Sequence, residues 1–173
     1  MKPLPPRDRG IVALIVFFMV VGWTLELYFV LFARSLGTRT DFMARLWSYY
    51  APADHAYFDR VTREEYGLES FHVFFTQWIH AWLIYAIVKR AAYRYSLQLA
   101  VGVCVTFSTC VYLLSKHLSG YVDMTQVTTA NLVMLYGANA PWALGNFYLA
   151  WDAARAIHSR FAARAIHSRF AKR

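Results

Sequence analysis

Charged residues are scarce in this 173-residue chain: only 16% of its residues are Asp, Glu, Lys or Arg, whereas 58% are apolar and 18% are aromatic. A soluble domain has about one quarter charged residues and fewer aromatic ones. The chain has two cysteines, Cys104 and Cys110, which would face different sides of one helix and so cannot form a disulfide with each other. It also lacks a phosphate-binding glycine loop, a nucleophile elbow and paired-cysteine metal spacing. These shortages argue against a soluble domain and leave no signature of a common soluble enzyme.

What the chain does contain is four long apolar runs, over residues 11–32, 68–88, 97–115 and 127–151. Each is close to the roughly 20 residues that a helix needs to cross about 30 Å of hydrocarbon. The first run is too long, and lacks the small-residue cleavage site, for a simple signal peptide. We therefore predict an all-α, polytopic membrane protein whose residues 1–153 form a four-transmembrane-helix bundle.

The distribution of the net charge of +8 predicts the orientation of the bundle. Lysine and arginine are concentrated near the N-terminus, in the connection around residues 89–94 and in the C-terminal tail, whereas the first loop balances both signs. By the positive-inside rule, both termini are expected to be cytoplasmic. The basic excess then reflects topology and anionic headgroups rather than nucleic acid. We expect the endoplasmic reticulum membrane in a eukaryote, or the inner membrane in a bacterium.

Two segments outside the apolar runs have a pattern of their own. In the first loop, residues 46–50 followed by Pro52 predict a short amphipathic or interfacial helix that ends at the proline. The aromatic-rich stretch 49–58 is either a lid over a lipid-facing site or an interfacial anchor. The basic tail, residues 154–173, contains the nine residues ARAIHSRFA twice in tandem. Nine residues turn a helical face by about half a turn, so the repeat keeps no single apolar stripe. We expect a cytosolic extension that frays or lies on the membrane.

Two carboxylates lie inside the apolar runs, Glu26 in the first and Glu69 at the start of the second. A charge at the centre of the bilayer costs about 2.5–3.5 kcal/mol or more, so such residues usually face a bundle interior or a wet cavity. Both positions lie toward the non-cytoplasmic side. The two carboxyl groups could therefore meet in one pocket.

The second run carries a polar stripe of Glu69, His72, Thr76 and His80, which fall within about 60° of one helical face. Such a stripe faces a bundle interior or a cavity rather than lipid. Hydrogen bonding between helices is one explanation. Two titratable groups among four aligned polar residues are more than adhesion requires, and we favour a cavity.

The fourth run repeats this pattern, because Asn139 and Trp142 lie close to one face on either side of Pro141. The proline removes a backbone donor and predicts a kink, which opens space beside these two residues. A kink that only serves packing between tight helices is the alternative.

With these residues placed, the chain resembles the EXPERA superfamily, and within it the emopamil-binding protein family of sterol Δ8–Δ7 isomerases. The resemblance covers about residues 20–157 and implies that Glu26 and Glu69 are the two membrane carboxylates of the family, with Asn139 and Trp142 in its pocket. It rests on the following strings, taken in this order: ELYFVL starting at Glu26, LWSYYAPAD, Glu69, LQLAVGV, VYLLSKH and NAPW followed by Asp152.

Two departures from that family bear on the chemistry. Gly22 stands where the isomerases have a histidine one turn before the first glutamate, and His72 stands where the family usually has a threonine. The histidine has either migrated across the pocket or the chemistry differs. The overall length is closer to that of the type-two sigma receptors of the same superfamily.

The resemblance implies an isomerase that shifts a carbon–carbon double bond in a sterol or related terpenoid. Such a shift needs an acid, a base and stabilisation of a carbocation. We predict Glu69 and His72 as the proton-transfer pair and Glu26 as the cation stabiliser, with no metal or other cofactor. The predicted substrate-binding residues are Trp23, Thr76, His80, Asn139, Trp142 and Tyr112.

Other functions fit the same residues. A non-enzymatic sterol or amine binder of the type-two sigma receptor kind would use the carboxylates to hold an ammonium group, and a terpenoid cyclase would use the same carbocation pocket. A purely structural membrane subunit would leave the polar stripes without purpose. The expected partners are a sterol or terpenoid lipid, membrane lipid, cationic amphiphilic amines as inhibitors and, by family analogy, a second copy in a homodimer.

Overall fold

The computed structural model describes the backbone of residues 3–170 and the side chains of residues 3–162. Over these residues, every regular secondary-structure element is a helix, and the helices are joined by turns and loops. The first rod consists of helix α1 (Pro6–Val21), a π-helix (Gly22–Glu26) and helix α2 (Leu27–Phe32). Helix α3 (Phe42–Tyr50) follows in the first loop, and the second rod consists of helix α4 (Arg63–Phe71), a second π-helix (His72–Thr76) and helix α5 (Gln77–Val88). Helices α6 (Arg94–Leu118) and α7 (Thr129–Phe170) complete the described chain.

Three helical segments are long and apolar enough to cross a membrane, namely Pro6–Phe32, Arg63–Val88 and Arg94–Leu118. The all-helical architecture with membrane-length apolar segments agrees with the prediction. The fourth predicted run lies within α7, which continues through Pro141 and well beyond the predicted end. Of the predicted tail, residues 171–173 and the side chains from residue 163 lie outside the described part of the chain.

Helix α1 starts at Pro6, five residues before the first apolar run, so that residues 6–10 are helical as well. Proline suits the first turn of a helix because its fixed φ is already helical and its missing N–H would have no partner there. The added turn carries Asp8, whose carboxylate accepts two hydrogen bonds from the buried Arg94, at 2.8 and 2.5 Å. The neighbouring Arg7 binds Asp152 of α7 at 2.6 Å. These two ion pairs join α1 to α6 and α7 at the end predicted to be cytoplasmic.

Helices α6 and α7 approach each other closely at Gly102. A Cβ atom at this position would lie 2.7 Å from the backbone nitrogen of Ala150 and 2.7 Å from the backbone oxygen of Asn146. Only glycine avoids this clash, so the backbones can approach as small residues allow in membrane helix pairs. The approach fixes the depth of α7 against α6.

At the opposite end, a buried lysine holds the loops together. The ammonium group of Lys116, near the end of α6, lies 3.0 Å from Asp54, 2.8 Å from Glu65 and 2.7 Å from Asp123. Buried charges are stable only when they are paired and hydrogen-bonded. This cluster therefore fixes the first loop and the start of α4 against the end of α6.

Helix α3 begins after Asp41, whose carboxylate accepts a hydrogen bond from the backbone N–H of Ala44, and it ends before Pro52. Its Trp47 is buried against Phe29 and Tyr57, whereas its Tyr49 is exposed. One face of this short helix therefore covers the interior of the bundle.

Candidate active site

A cavity lies where the two π-helices meet, and its wall is mostly apolar and aromatic. Both rods, helices α6 and α7 and the first loop contribute residues to this cavity. The lining residues are Val21, Leu25, Glu26, Leu46, Trp47, Tyr50, Tyr57, Leu68, Glu69, His72, Thr109, Tyr112, Ala138, Asn139 and Trp142. Apolar pockets with a few converging polar groups are typical of ligand sites.

The converging polar groups are Glu26, Glu69 and His72. Each is buried, and one ligand atom from each lies within 4.8 Å of the other two. One oxygen of each carboxyl group, Oε2, has no hydrogen-bond partner among the described residues. The other oxygen of Glu69, Oε1, accepts a hydrogen bond from the Tyr57 hydroxyl at 2.8 Å. Two carboxyl groups and an imidazole thus face one another with free positions for a ligand or a proton.

The two π-helices position these groups. Glu26 is the last residue of the first π-helix, and His72 is the first residue of the second, directly after the turn that carries Glu69. A π-helical turn contains an additional residue compared with an α-helical turn and often occurs at functional sites. The insertion changes the direction of every side chain that follows it. Glu26 ends the first insertion, and Glu69 and His72 stand just before and at the start of the second, so the three groups face one another where the two π-helices meet.

His72 is held by the neighbouring helix, because its Nε2 lies 3.0 Å from the hydroxyl oxygen of Ser108 in α6. Ser108 in turn donates a hydrogen bond to the backbone oxygen of Val105 at 3.0 Å. The imidazole is therefore fixed from the side opposite its own helix.

Gly22 and Gln77 form a close contact between the two rods. A Cβ atom at position 22 would lie 2.2 Å from Nε2 and 2.6 Å from Cδ of Gln77. The Gln77 side chain thus occupies the space beside Gly22 where the resemblance led us to look for a histidine. Gln77 also lies 3.3 Å from Nδ1 of His80 through its Oε1. Its role was missed, although a glutamine in the middle of an apolar run was an available signal.

A second set of hydroxyl groups lies on the loop side of the cavity. The amide of Asn139 donates to the Tyr50 hydroxyl at 3.3 Å, and the hydroxyls of Tyr50 and Tyr112 are 3.3 Å apart. Tyr112 donates to the buried carboxylate of Asp54 at 2.5 Å. Burial raises the pKa of the Tyr50 phenol above its ordinary value, so this hydroxyl stays protonated. The network is suited to bind a hydroxyl or carbonyl group of a ligand.

Three residues predicted to bind substrate do not line this cavity: Trp23, Thr76 and His80. Trp23 is partly exposed and packs edge-on against Trp78 on the outer surface, with ring centroids 5.7 Å apart. His80 is fully buried and stacks on Phe18 at 5.9 Å. The stripe that grouped Thr76 and His80 with Glu69 assumed an uninterrupted α-helix, whereas the rod is π-helical over His72–Thr76. Asn139, Trp142 and Tyr112, by contrast, do line the cavity.

The same three central groups could hold a metal ion. Glu26, Glu69 and His72 offer two carboxylate oxygens and an imidazole nitrogen, which are ligand types that zinc and related divalent ions accept. From the sequence we predict no metal at this site.

The fold and the site together define a helical membrane protein with a cavity that contains two buried carboxyl groups and a histidine. Residues 42–153 match the EBP family, described as EXPERA (EXPanded EBP superfamily). The match covers more than half of the chain, and the chain belongs to this family. The resemblance given by the sequence motifs is thereby confirmed.

Several curated proteins are similar to the chain. The probable 3-beta-hydroxysteroid-Delta(8),Delta(7)-isomerase of Arabidopsis thaliana is 30% identical over 122 residues, 69% of this chain and 53% of that protein. Protoglabretal synthase of Citrus sinensis is 31% identical over 80 residues, 46% of this chain and 37% of that protein. Isomeliandiol synthase of Ailanthus altissima is 31% identical over 80 residues, 46% of this chain and 38% of that protein. The chain thus spans about half, or less, of the length of the curated relatives that it matches. Its family contains enzymes of the isomerase type.

Proposed function

We propose that this protein is a membrane isomerase that moves a carbon–carbon double bond in a sterol or related terpenoid lipid. The observation that carries the proposal is the convergence of Glu26, Glu69 and His72 in an otherwise apolar and aromatic cavity. Such a cavity accepts a polycyclic hydrocarbon, and among the described residues these three groups are the only acids or bases lining it apart from tyrosine hydroxyls. Relatives named as an isomerase and as terpenoid synthases support the same substrate class.

The chemistry has two proton transfers. A protonated acid of the Glu69–His72 pair donates its proton to one alkene carbon, which forms a C–H bond and leaves a carbocation at the other carbon. The second member of the pair removes a proton from the carbon on the far side of the cation, and the electrons of that C–H bond form the new double bond. Protons are balanced, because one is given and one is taken.

The short distance between Glu69 and His72 allows the site to recover its starting protonation state. After one turnover the former base carries the proton and the former acid does not. Since the relevant atoms of Glu69 and His72 lie within 4.8 Å of each other, the proton can return directly or through one water molecule. The site then needs no proton from outside the membrane.

Glu26 would stabilise the cation. A preorganised negative charge in a site that excludes water lowers the free energy of a carbocation far more than it would in water. The ring faces of Trp142, Trp47 and the neighbouring tyrosines add to this through cation–π attraction. Asn139 and the Tyr50–Tyr112 pair would bind a polar group of the substrate. This contact would fix the position and orientation of the substrate in the cavity.

We also infer that α7 is the fourth membrane-spanning helix, over the predicted residues 127–151. Its residues Asn139 and Trp142 line the same cavity as the carboxylates of the other rods, so α7 must lie at their depth. The bundle is then a four-helix membrane domain with both termini on the cytoplasmic side.

The proposal is tested with purified protein and a panel of sterols and triterpenoids in ²H₂O. We expect a product of unchanged carbon skeleton, with the double bond displaced and one deuterium at the protonated carbon. Glu26→Gln and Glu69→Gln should each abolish turnover, whereas the matched variant Glu64→Gln, at an exposed position in the same helix as Glu69, should not change it. Normal turnover in both cavity variants would refute the proposal. A new ring in the product would instead identify a terpenoid cyclase.

A non-enzymatic binder is the second candidate, and Gly22 favours it, because the chain lacks the histidine that the resemblance associates with isomerases at this position. Two adjacent carboxyl groups can hold the ammonium group of a cationic amphiphilic amine. Such amines should bind in both cases. In the binder they would bind with no turnover of any panel member, whereas in the isomerase they would inhibit turnover competitively as cation mimics.

A further inference from the structure

We propose that Ser108 is a positioning residue that fixes the tautomer of His72, so that Nδ1 is the ring nitrogen that exchanges protons. The inference rests on the proposed function, because it names the atom through which His72 would act. Ser108 does not line the cavity itself and reaches it only through the imidazole.

The argument starts from the single hydrogen of the serine hydroxyl. Ser108 donates that hydrogen to the backbone oxygen of Val105, three residues earlier in the same helix, at 3.0 Å. A hydroxyl oxygen has one hydrogen and two lone pairs. Since a carbonyl oxygen can only accept, both contacts of Ser108 are hydrogen bonds only if the hydroxyl hydrogen points to Val105. In that arrangement Nε2 of the imidazole, at 3.0 Å, is the donor toward Ser108.

The tautomer follows from this assignment. A neutral imidazole carries one N–H and one lone pair, so a proton on Nε2 leaves the lone pair on Nδ1. The nitrogen that can accept a proton is thus the one that is not bound to α6. In enzymes, a fixed hydrogen bond to one ring nitrogen commonly sets the role of the other, and a wrong tautomer can cost a large part of the rate.

The arrangement also satisfies the N–H group of a buried imidazole. His72 is buried, and an unpaired imidazole N–H in an apolar bundle would be costly. Ser108 provides the acceptor. The residues of α6 and of the second π-helix are therefore coupled: His72 needs a hydroxyl at position 108, whereas a smaller residue at position 72 does not.

The experiment combines a spectroscopic and a kinetic measurement on the full chain in detergent or nanodiscs. In protein labelled with ¹⁵N-histidine, the signals of His72 are assigned by their loss in His72→Gln. We expect the Nε2–H tautomer in the wild type, a changed tautomer ratio in Ser108→Ala, and the wild-type pattern in Ser108→Thr, which keeps a hydroxyl. Ser159→Ala is the matched control, because Ser159 makes the same bond to the carbonyl three residues earlier, in α7, without an imidazole partner.

The kinetic expectation is that Ser108→Ala lowers kcat about 10-fold, the effect of one lost hydrogen bond, with KM changed less than about twofold. Ser108→Thr should restore kcat. An Nδ1–H tautomer in the wild type, or a His72 spectrum unchanged by Ser108→Ala, would overturn the inference even if the protein is an isomerase. A wild type that has the expected tautomer but turns over no substrate would instead refute the proposed function and leave the positioning by Ser108 standing as a feature of a binding site.

Discussion

The hydroxyl group of Tyr57 donates a hydrogen bond to Oε1 of Glu69 across 2.8 Å, from the first loop to the second membrane rod. Burial and the neighbouring charge of Glu69 raise the pKa of the Tyr57 phenol well above its ordinary value, so the group remains a donor at all working pH values. One oxygen of the carboxyl is thereby occupied. The other oxygen, Oε2, has no hydrogen-bond partner among the described residues and is available to exchange a proton.

Tyr57→Phe should therefore lower kcat by about 10-fold or more, because a hydrogen bond to a charged group is worth about 1.5–3 kcal/mol and its loss leaves Glu69 less well oriented. Initial rates of double-bond migration measure this effect. Tyr49→Phe, which removes a phenol hydroxyl from an exposed position in the same loop, is the control. Equal rates in the two variants would show that the Tyr57–Glu69 bond does not serve the reaction.

Gly102→Ala should destabilise the bundle by about 1–3 kcal/mol, since the added methyl group would meet backbone atoms of α7 that cannot rotate away. Thermal unfolding in a single detergent measures the difference. At Gly67, in α4, an added Cβ would meet nothing within 4 Å, so Gly67→Ala should be neutral or slightly stabilising because alanine favours a helix. A loss of stability that is the same in both variants would contradict the close approach of α6 and α7.

Asp41 should contribute to stability in a pH-dependent way. The hydroxyl of Tyr28, the backbone N–H of Ala44 and the guanidinium of Arg39 all bind its carboxylate and lower its pKa from 3.8 to about 2. Because the folded-state pKa is depressed, the stabilisation is complete above the unfolded value of 3.8 and is lost as the pH falls toward 2.

Asp41→Asn should thus be less stable than the wild type at pH 6, and the difference should shrink between about pH 4 and pH 2. Chemical unfolding in a non-titrating detergent, followed by tryptophan fluorescence, is a suitable measurement. Glu64→Gln, at an exposed position, should show no such trend. A difference between Asp41→Asn and the wild type that does not change with pH would indicate that the charge of Asp41 is not responsible.

Chelation should leave turnover unchanged. The proposed reaction needs only protons on carboxyl and imidazole groups, although the same groups, Glu26, Glu69 and His72, have the ligand types of a zinc site. Treatment with EDTA followed by assay and elemental analysis tests this. Loss of activity that added Zn²⁺ restores would replace the acid–base proposal with a metal-dependent one.

The convergence of Glu26, Glu69 and His72 could be anticipated from the sequence, because burying a carboxylate in a membrane is so costly that two such groups at one depth must share a polar site. The positions of Asn139 and Trp142 in the same cavity followed from the family resemblance. For the carboxylates, the evidence was the high free-energy cost of burying a charge in a membrane. For Asn139 and Trp142, it was a set of motifs with a specific order and spacing.

What the sequence could not reveal was the change of helical period. A stripe drawn at 100° per residue placed Thr76 and His80 beside Glu69, but the rod is π-helical over His72–Thr76, and neither residue lines the cavity. Trp23, chosen for its aromatic ring face, lies in the first π-helix and packs against Trp78. No local residue preference marks a π-helix. Gly22, which starts the first π-helix, lies against Gln77, which follows the second, and this contact between distant segments is not visible in the local sequence.

Each π-helix adds one residue to its rod compared with an uninterrupted α-helix. The first ends at Glu26 and the second starts at His72. Deletion of a single residue from either stretch would restore the regular period and rotate the following side chains by about 100°. The approach of Glu26 to Glu69 and His72 therefore depends on the number of residues in each π-helix as much as on which residues they are. An insertion or deletion at these points during evolution would change the chemistry of the cavity while leaving every recognisable motif in place.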